Sequence, residues 1–273
     1  MGMQPIKIAA CLAPLLLVGL YPGLYSGLYS GFYQGQAQEP APLPFAPGET
    51  LTYEMSWGVF SAGQIVATLS SASNGQQDDY QVKTTATSRG FVSLLYPVND
   101  EFRSTFDPRT LCSQGIDKHV SEGRRRLETH IVFDSGRKLA ILDEHDLARL
   151  GAPAKHDEIE IPPCVEDVVA AFYDVRRLPL RVGEKFNLSI NDGSKTSQVL
   201  VEVQARESVR TPLGARQAFR VEPTVFGGLL RRKGRMLIWF SDDAQRLPLR
   251  IKAMITVGTL TATLRSATRR NDE

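Results

Sequence analysis

The sequence predicts a mainly β protein: a large curved antiparallel sheet, or half-open β-barrel, of about ten to twelve strands with one embedded α-helix near residues 164–177. Three observations carry this. Apolar and polar residues alternate with a period of two along successive segments, turn-forming residues separate those segments, and one stretch alone has helical spacing.

Lys7 is the only charged residue before Glu39, and the apolar run Ile8 to Val18 follows it, which is the layout of a secretory signal peptide. Gly19-Leu20-Tyr21-Pro22, Gly23-Leu24-Tyr25-Ser26, Gly27-Leu28-Tyr29-Ser30 and Gly31-Phe32-Tyr33-Gln34 then repeat, and Gly and Pro at this density disfavour a helix. The small-x-small triplet Gly35-Gln36-Ala37 places the expected cleavage after Ala37. An uncleaved anchor is the competing reading, because Ile8 to Tyr33 carries no charge and is long enough to span a bilayer. A lipoprotein reading through Cys11 fits less well, since the apolar run follows that cysteine instead of preceding it. The expected organisation is therefore a signal peptide with Gly-Leu-Tyr repeats at 1–37, a Pro/Ala-rich spacer at 38–47, a single β-rich domain at 48–267 and a charged tail at 268–273.

Within the domain, Leu51, Tyr53, Met55 and Trp57 share one face of an extended segment, and Ile65, Ala67 and Leu69 share another. The same period marks Tyr80, Val82, Thr84 and Ala86. It recurs where Leu127, Thr129, Ile131 and Phe133 alternate with Arg126, Glu128 and His130, and where Val199, Val201, Val203 and Ala205 alternate with Glu202, Gln204 and Arg206. Further strands are expected over Phe219–Val221, Arg235–Phe240, Leu249–Val257 and Thr259–Leu264. Asn74-Gly75, Asp134-Ser135-Gly136, Asn191-Asp192-Gly193 and Pro212-Leu213-Gly214 supply the residues that tight hairpins need. The outward sides carry Arg126, Glu128, Glu202 and Arg206, which excludes the lipid-facing surface of a transmembrane barrel and predicts a soluble domain.

One segment breaks the period. Val165, Val168, Val169, Phe172 and Val175 form an apolar stripe at helical spacing, opened by Pro162-Pro163 and stopped by Pro179. Glu166 and Asp167 suit its N-terminal end, and Arg176 and Arg177 its C-terminal end. The stripe is expected to pack on the concave face of the sheet.

With the leader removed, Cys112 and Cys164 are the cysteines left, an even count in an oxidising compartment, and a bond between them would add about 4 kcal/mol in the chain-entropy model. Two separately buried thiols are the alternative. The formal charge of +2 and the lack of a long basic block exclude a nucleic-acid footprint of the usual kind. There is no Gly-x-Ser-x-Gly elbow, no His-Glu-x-x-His and no phosphate-cradling loop, so no catalytic residue, metal or cofactor is assigned. His119, His130, His145 and His156 lie in separate segments, and the carboxylate-rich runs at His145 and His156 read as solvated loops. Asp242-Asp243 reads as a turn. Trp57, Phe133, Phe172, Phe219 and Trp239 are candidates for the wall of an internal cavity. Arg124, Arg125 and Arg126, with Arg231, Arg232, Lys233 and Arg235, are candidates for a basic rim that meets anionic head groups, or else protects strand edges.

Pro47-Gly48-Glu49-x-Leu51-x-Tyr53 with Trp57-Gly58 and Ala62-Gly63, Ile161-Pro162-Pro163-Cys164-Val165-x-Asp167-Val168 through Phe172-Tyr173 to Gly183, and Trp239-Phe240-Ser241-Asp242-Asp243 through Pro248 follow one another in a fixed order. In this order and spacing, over about residues 45 to 265, the chain resembles the exported bacterial proteins grouped as domain of unknown function 3108. The resemblance implies a periplasmic or envelope location, a β-rich fold and no established activity. It brings no catalytic residues, and Cys164 is a local variant of the family's helix opening. The fold it implies is similar to half-open barrels that carry lipids or lipoproteins through the periplasm.

The expected function is thus a non-catalytic binding or carrier protein for an apolar or amphipathic envelope ligand such as a lipid. A scaffold for an envelope protein partner, or a hydrolase using Asp167, Asp174, Asp242 or Asp243, are the alternatives. Sequencing the N-terminus of the mature protein is expected to give Gln38, and a start upstream of residue 30 would refute the assigned cleavage site.

Overall fold

The computed structural model describes residues 42–73, 78–149, 151–225, 234–255 and 258–269. The expected leader and its cleavage site, the Asn74-Gly75 turn and the basic residues Arg231 to Lys233 lie outside the described residues.

The first half of the sheet comprises β1 (Glu49–Trp57), β2 (Phe60–Ser73), β3 (Asp78–Ser88), β4 (Asn99–Phe106), β5 (Ser113–Glu122), β6 (Arg125–Asp134), β7 (Leu139–Asp146) and β8 (Lys155–Glu160). The second comprises β9 (Lys185–Asn191), β10 (Thr196–Thr211), β11 (Gly214–Val225), β12 (Arg235–Ser241), β13 (Pro248–Ile255) and β14 (Gly258–Arg269). A short helix α1 (Gly90–Leu95) joins β3 to β4, and α2 (Val168–Arg177) lies in the connection from β8 to β9. Among the described residues fourteen strands form one antiparallel sheet, more than the ten to twelve expected. The carboxylate-rich runs around His145 and His156 are strands β7 and β8, not loops. Their carboxylates occupy exposed or half-buried positions and pair across strands, as Asp143 does with His156 at 2.7 Å, so charge there does not break the ladder.

Each half is a meander, and the halves join where the first strand pairs with the last, Leu51 opposite Ala267 and Tyr53 opposite Leu264. The sheet is not closed: β8 and β9 are its two edges. Bulges, whose extra residues are Arg265 in β14, Gln204 in β10 and Leu249 in β13, increase the local twist that coils so wide a sheet. The β9–β10 turn reaches the other half through a hydrogen bond from Lys118 of β5 to Asp192 O at 3.2 Å and through close packing. A Cβ on Gly193, whose φ is 95°, would fall 2.5 Å from Ile131 Cδ1 and 2.6 Å from Leu142 Cδ1, so glycine is required by both conformation and space.

Helix α2 begins later than the spacing predicts. Val165 and Glu166 stay extended because their backbone groups are already engaged: Ser113 N–H donates to Val165 O at 2.8 Å, and Glu166 bridges β9 through Ser189 O and Asn191 N–H, both at 2.9 Å. Asp167 is the N-cap, its carboxylate accepting from the N–H groups of Val169 at 2.7 Å and Ala170 at 3.2 Å. The expected single stripe is also modified, since Val168 is 64% exposed while Ala170, Ala171, Tyr173, Asp174, Val175 and Arg176 are all buried. A helix enclosed by a coiled sheet has neighbours on most sides, so one wet face no longer sets its pattern. Ala171, Phe172 and Val175 pack with Val199, Val201, Val203, Phe219 and Phe240 of the second half. Ala170 and Tyr173 pack with Phe45, Leu69, Val82 and Phe106 of the first.

Cys112 and Cys164 are disulfide-bonded across 52 positions of sequence, with Cα atoms 5.1 Å apart. The bond ties the entry to α2 to the start of β5. At the helix's other end Arg176 is buried, and its guanidinium donates to both carboxylate oxygens of Glu49 at 2.6 and 2.8 Å, and to the carbonyls of Pro44 and Gln245. Burial opposes its charge, and the hydrogen bonds and attraction from Glu49 more than offset this. Glu49→Gln is expected to destabilise the protein by about 3–5 kcal/mol in urea unfolding, because it leaves a buried guanidinium without its counter-charge. An unchanged midpoint would show that the pair does not hold the helix in place.

Candidate functional site

The carboxylates at the start of α2 are the first candidate. Asp167 is buried, and besides capping the helix it accepts the hydroxyls of Ser104 at 2.6 Å and Ser113 at 2.7 Å. Burial raises its carboxyl, while these hydrogen bonds act the other way. Asp174 is buried and ion-paired to Arg177. Glu166 is pushed up to about 9, by burial first and by the neighbouring Asp174 second. Asp242 and Asp243 sit apart from these in the β12–β13 turn, as the sequence reading expected. Asp242 accepts from Arg206 at 2.6 Å and Arg246 at 3.2 Å, and Asp243 from the Ser241 hydroxyl at 2.8 Å. Asp167, the best placed of the four, is fully occupied by holding the helix start to β4 and β5.

The five aromatic candidates are divided among different packing clusters. Phe172 and Phe219 pack with α2 and the second half of the sheet, and the Phe172 ring lies 5.5 Å from that of Phe240. Phe133 belongs to the cluster of β5, β6 and β7 around Val165. Trp239 and its neighbour Phe240 point to opposite faces of β12, as successive strand residues do, and both are buried, in different clusters; the Trp239 indole N–H donates to Glu207 at 2.6 Å. Trp57 lies at the end of β1, beside Gly258. In the basic set, Arg235 is ion-paired to Glu222 at 2.6 Å. Arg124 lies in the β5–β6 turn and Arg125 and Arg126 begin β6, all three exposed; Arg125 is 3.8 Å from Glu122, and Arg126 donates to the carbonyls of Gly123 and Arg125.

Sequence reasoning missed a second candidate, at the end of the sheet that holds α1. Val59 is 92% exposed in the β1–β2 turn, and Leu94 is 82% exposed on α1; Phe60, Phe91, Leu95 and Tyr96 are also exposed. These side chains share one end, since Arg89 N–H, just before α1, donates to Ala62 O of β2 at 2.9 Å. The Arg124–Arg126 segment is held beside them. Gly123 N–H donates to Pro97 O at 2.8 Å, and a Cβ on Gly123 would fall 2.9 Å from the Tyr96 ring. Next to this apolar end an open groove of about 550 Å³ runs over β1, β2 and β14, lined by Thr52, Glu54, Ser61, Gln64, Arg89, Arg265 and Ser266. Arg265 is paired to Glu54 at 3.1 Å. Arg89 therefore stands at the junction between a hydroxyl- and amide-lined groove and an exposed apolar surface. The available signal was the bunching of apolar residues in two short connections, Val59-Phe60 and Phe91 to Tyr96, where strand spacing gives them no buried face.

Residues 52–265 match the family described as "Protein of unknown function (DUF3108)". The chain belongs to the DUF3108 family. No curated protein matches this DUF3108 chain in sequence. Its fold is similar to the crystal structure of a β-barrel-like protein of domain of unknown function DUF1849 from Brucella abortus, with a TM-score of 0.57 at 6% identity over 82% of this chain and 98% of that one. At such low identity the likeness is one of fold alone. A protein from Bacteroides fragilis described as exported, with a YmcC-like fold, aligns at 9% identity and a TM-score of 0.37 over 83% of this chain and 98% of its own.

Glu166 gives the interior a pH signature. Between the ordinary 4.5 and about 9 the folded DUF3108 chain keeps a proton that the unfolded chain releases, so stability falls as pH rises through that window. Glu166→Gln is expected to flatten this slope in thermal melts taken across pH; an unaltered slope would place its origin elsewhere.

Proposed function

We propose that this protein is an exported, non-catalytic binding protein of the cell envelope whose amphipathic ligand is held on the outside of the sheet at the α1 end, and not in its interior. Export is supported by the signal-peptide layout before Gln38 and by the Cys112–Cys164 bond, which suits an oxidising compartment. An external site is supported by the way α2 occupies the inside, packing against both halves of the sheet.

The observation that carries the reading is the meeting, at Arg89, of a polar groove with an exposed apolar surface. A groove of about 550 Å³ is within the size range of small-molecule sites, and exposed apolar side chains gathered at one place mark an interaction surface. An amphipathic molecule satisfies both parts, its polar end against Arg89 and the hydroxyls of Ser61 and Ser266, its apolar end over α1 and Phe60. Pairing with a partner through a sheet edge has less support. The β8 edge presents Lys155, His156, Asp157, Glu158 and Glu160, and β9 is already bridged by Glu166.

The test uses a short-chain phosphatidylglycerol below its micelle concentration, with binding followed by isothermal titration calorimetry. Arg89→Ala combined with Leu94→Ser is expected to weaken binding by about tenfold or more, equivalent to about 1.4 kcal/mol, while Phe172→Ala in the interior leaves affinity unchanged. The reverse pattern, with Phe172→Ala abolishing binding and the surface pair silent, would move the ligand inside and end the external reading.

A further inference from the structure

We infer that the α1 end is a docking surface for an anionic lipid bilayer, which it meets as a surface rather than by extracting single molecules. This rests on the amphipathic reading above and names its partner. Three observations converge on one end of the sheet. The first is apolar: Val59, Phe60, Phe91, Leu94, Leu95 and Tyr96 project from two adjacent connections, and they include aromatic side chains of the kind that sit at a membrane interface.

The second is charge. Arg124, Arg125 and Arg126 follow Gly123, which packs against Tyr96, in the β5–β6 turn and the start of β6, and Arg89 immediately precedes α1. Among the described residues Arg89 and Arg124 have no carboxylate partner, whereas the carboxylates that belong to this end are engaged: Glu122 with Arg125, Glu54 with Arg265, Asp146 with Arg149 at 3.3 Å, and the buried Asp100 with the N–H of Ser121 at 2.8 Å. Cations left over beside exposed apolar groups complement phosphate-bearing head groups above an acyl layer. The third is continuity. Leu147 N–H donates to Arg126 O at 2.8 Å, and Leu147 is itself 54% exposed, so the same mixture of apolar and basic side chains extends to the β7–β8 connection. A surface this extended, spread over four connections, matches a plane of lipid better than the head and tail of one molecule.

Sedimentation with vesicles of phosphatidylcholine alone, or of phosphatidylcholine containing phosphatidylglycerol, tests the inference on the full mature chain. Binding is expected to the anionic vesicles, to weaken as salt is raised, and to fall about thirtyfold for Arg89→Ala with Arg124→Ala, at about 1 kcal/mol for each cation near the surface. Lipids brominated on their acyl chains are expected to quench Trp57, at the docking end, more than Trp239, which is buried and bonded to Glu207. Leu94→Ser with Leu95→Ser, both exposed and so compatible with folding, is expected to remove that quenching. Equal binding to both kinds of vesicle, or binding that Arg89→Ala with Arg124→Ala leaves intact, would overturn the role given to charge. Failure to bind any vesicle while the short-chain lipid still binds would overturn the bilayer inference and leave the amphipathic reading standing; failure of both would remove both.

Discussion

The structure depends on keeping one charged helix inside a curved sheet. Arg176 emerges from the last turn of α2 into the interior, where a cation is stable only against a counter-charge, and Glu49 meets it with both oxygens. Because Glu49 is the first residue of β1 and the Pro44 and Gln245 carbonyls share the same guanidinium, one side chain fixes the chain's entry, the helix and the β12–β13 turn together. At the other end of α2 the Asp167 carboxylate joins the helix start to Ser104 and Ser113, and the disulfide holds the preceding residues to β5. The helix is thus pinned at both ends, its start to β4 and β5 and its end to β1 and the β12–β13 turn, so one element braces both halves of the open sheet.

With the interior occupied, chemistry moves outward. Buried carboxylates are often read as catalytic, yet here Asp167 is engaged by four donors and Asp174 by Arg177, which are structural duties. The surface at the α1 end has the opposite character. Its apolar side chains have no packing duty in the core, and its arginines outnumber the carboxylates that could neutralise them. Division of labour between an internally cross-braced frame and a sparsely committed rim is what a recognition protein on a rigid scaffold requires.

Much of the frame was legible in the sequence. Period-two alternation located β1, β3, β6 and β10, since each has one face against the core, and the valines with the following proline located α2. Where the pattern failed, the reasons are physical. Strands β7 and β8 hide behind charge because cross-strand His–Asp pairs let both partners stay exposed. The first residues assigned to α2 are extended because distant backbone groups in β5 and β9 claim them. Trp239 and Phe240 cannot be sorted by spacing, since β12 is buried on both faces there and no polar residue marks an outside. The α1 end was the least legible, because exposure is decided by where a six-residue helix is set down, and so short a segment has no period to read.

The pairing of β1 with β14 sets a timetable for assembly. Glu54 and Arg265 lie 211 positions apart yet face one another across that seam, so the strand made first waits for the strand made last. Until the final segment arrives, β1 is an unsatisfied border in the middle of the eventual sheet, and the chain cannot complete its fold while it is still being threaded out of a ribosome or through a pore. Such an architecture stays pliable while its strands are being made and locks only when the last of them is free to pair.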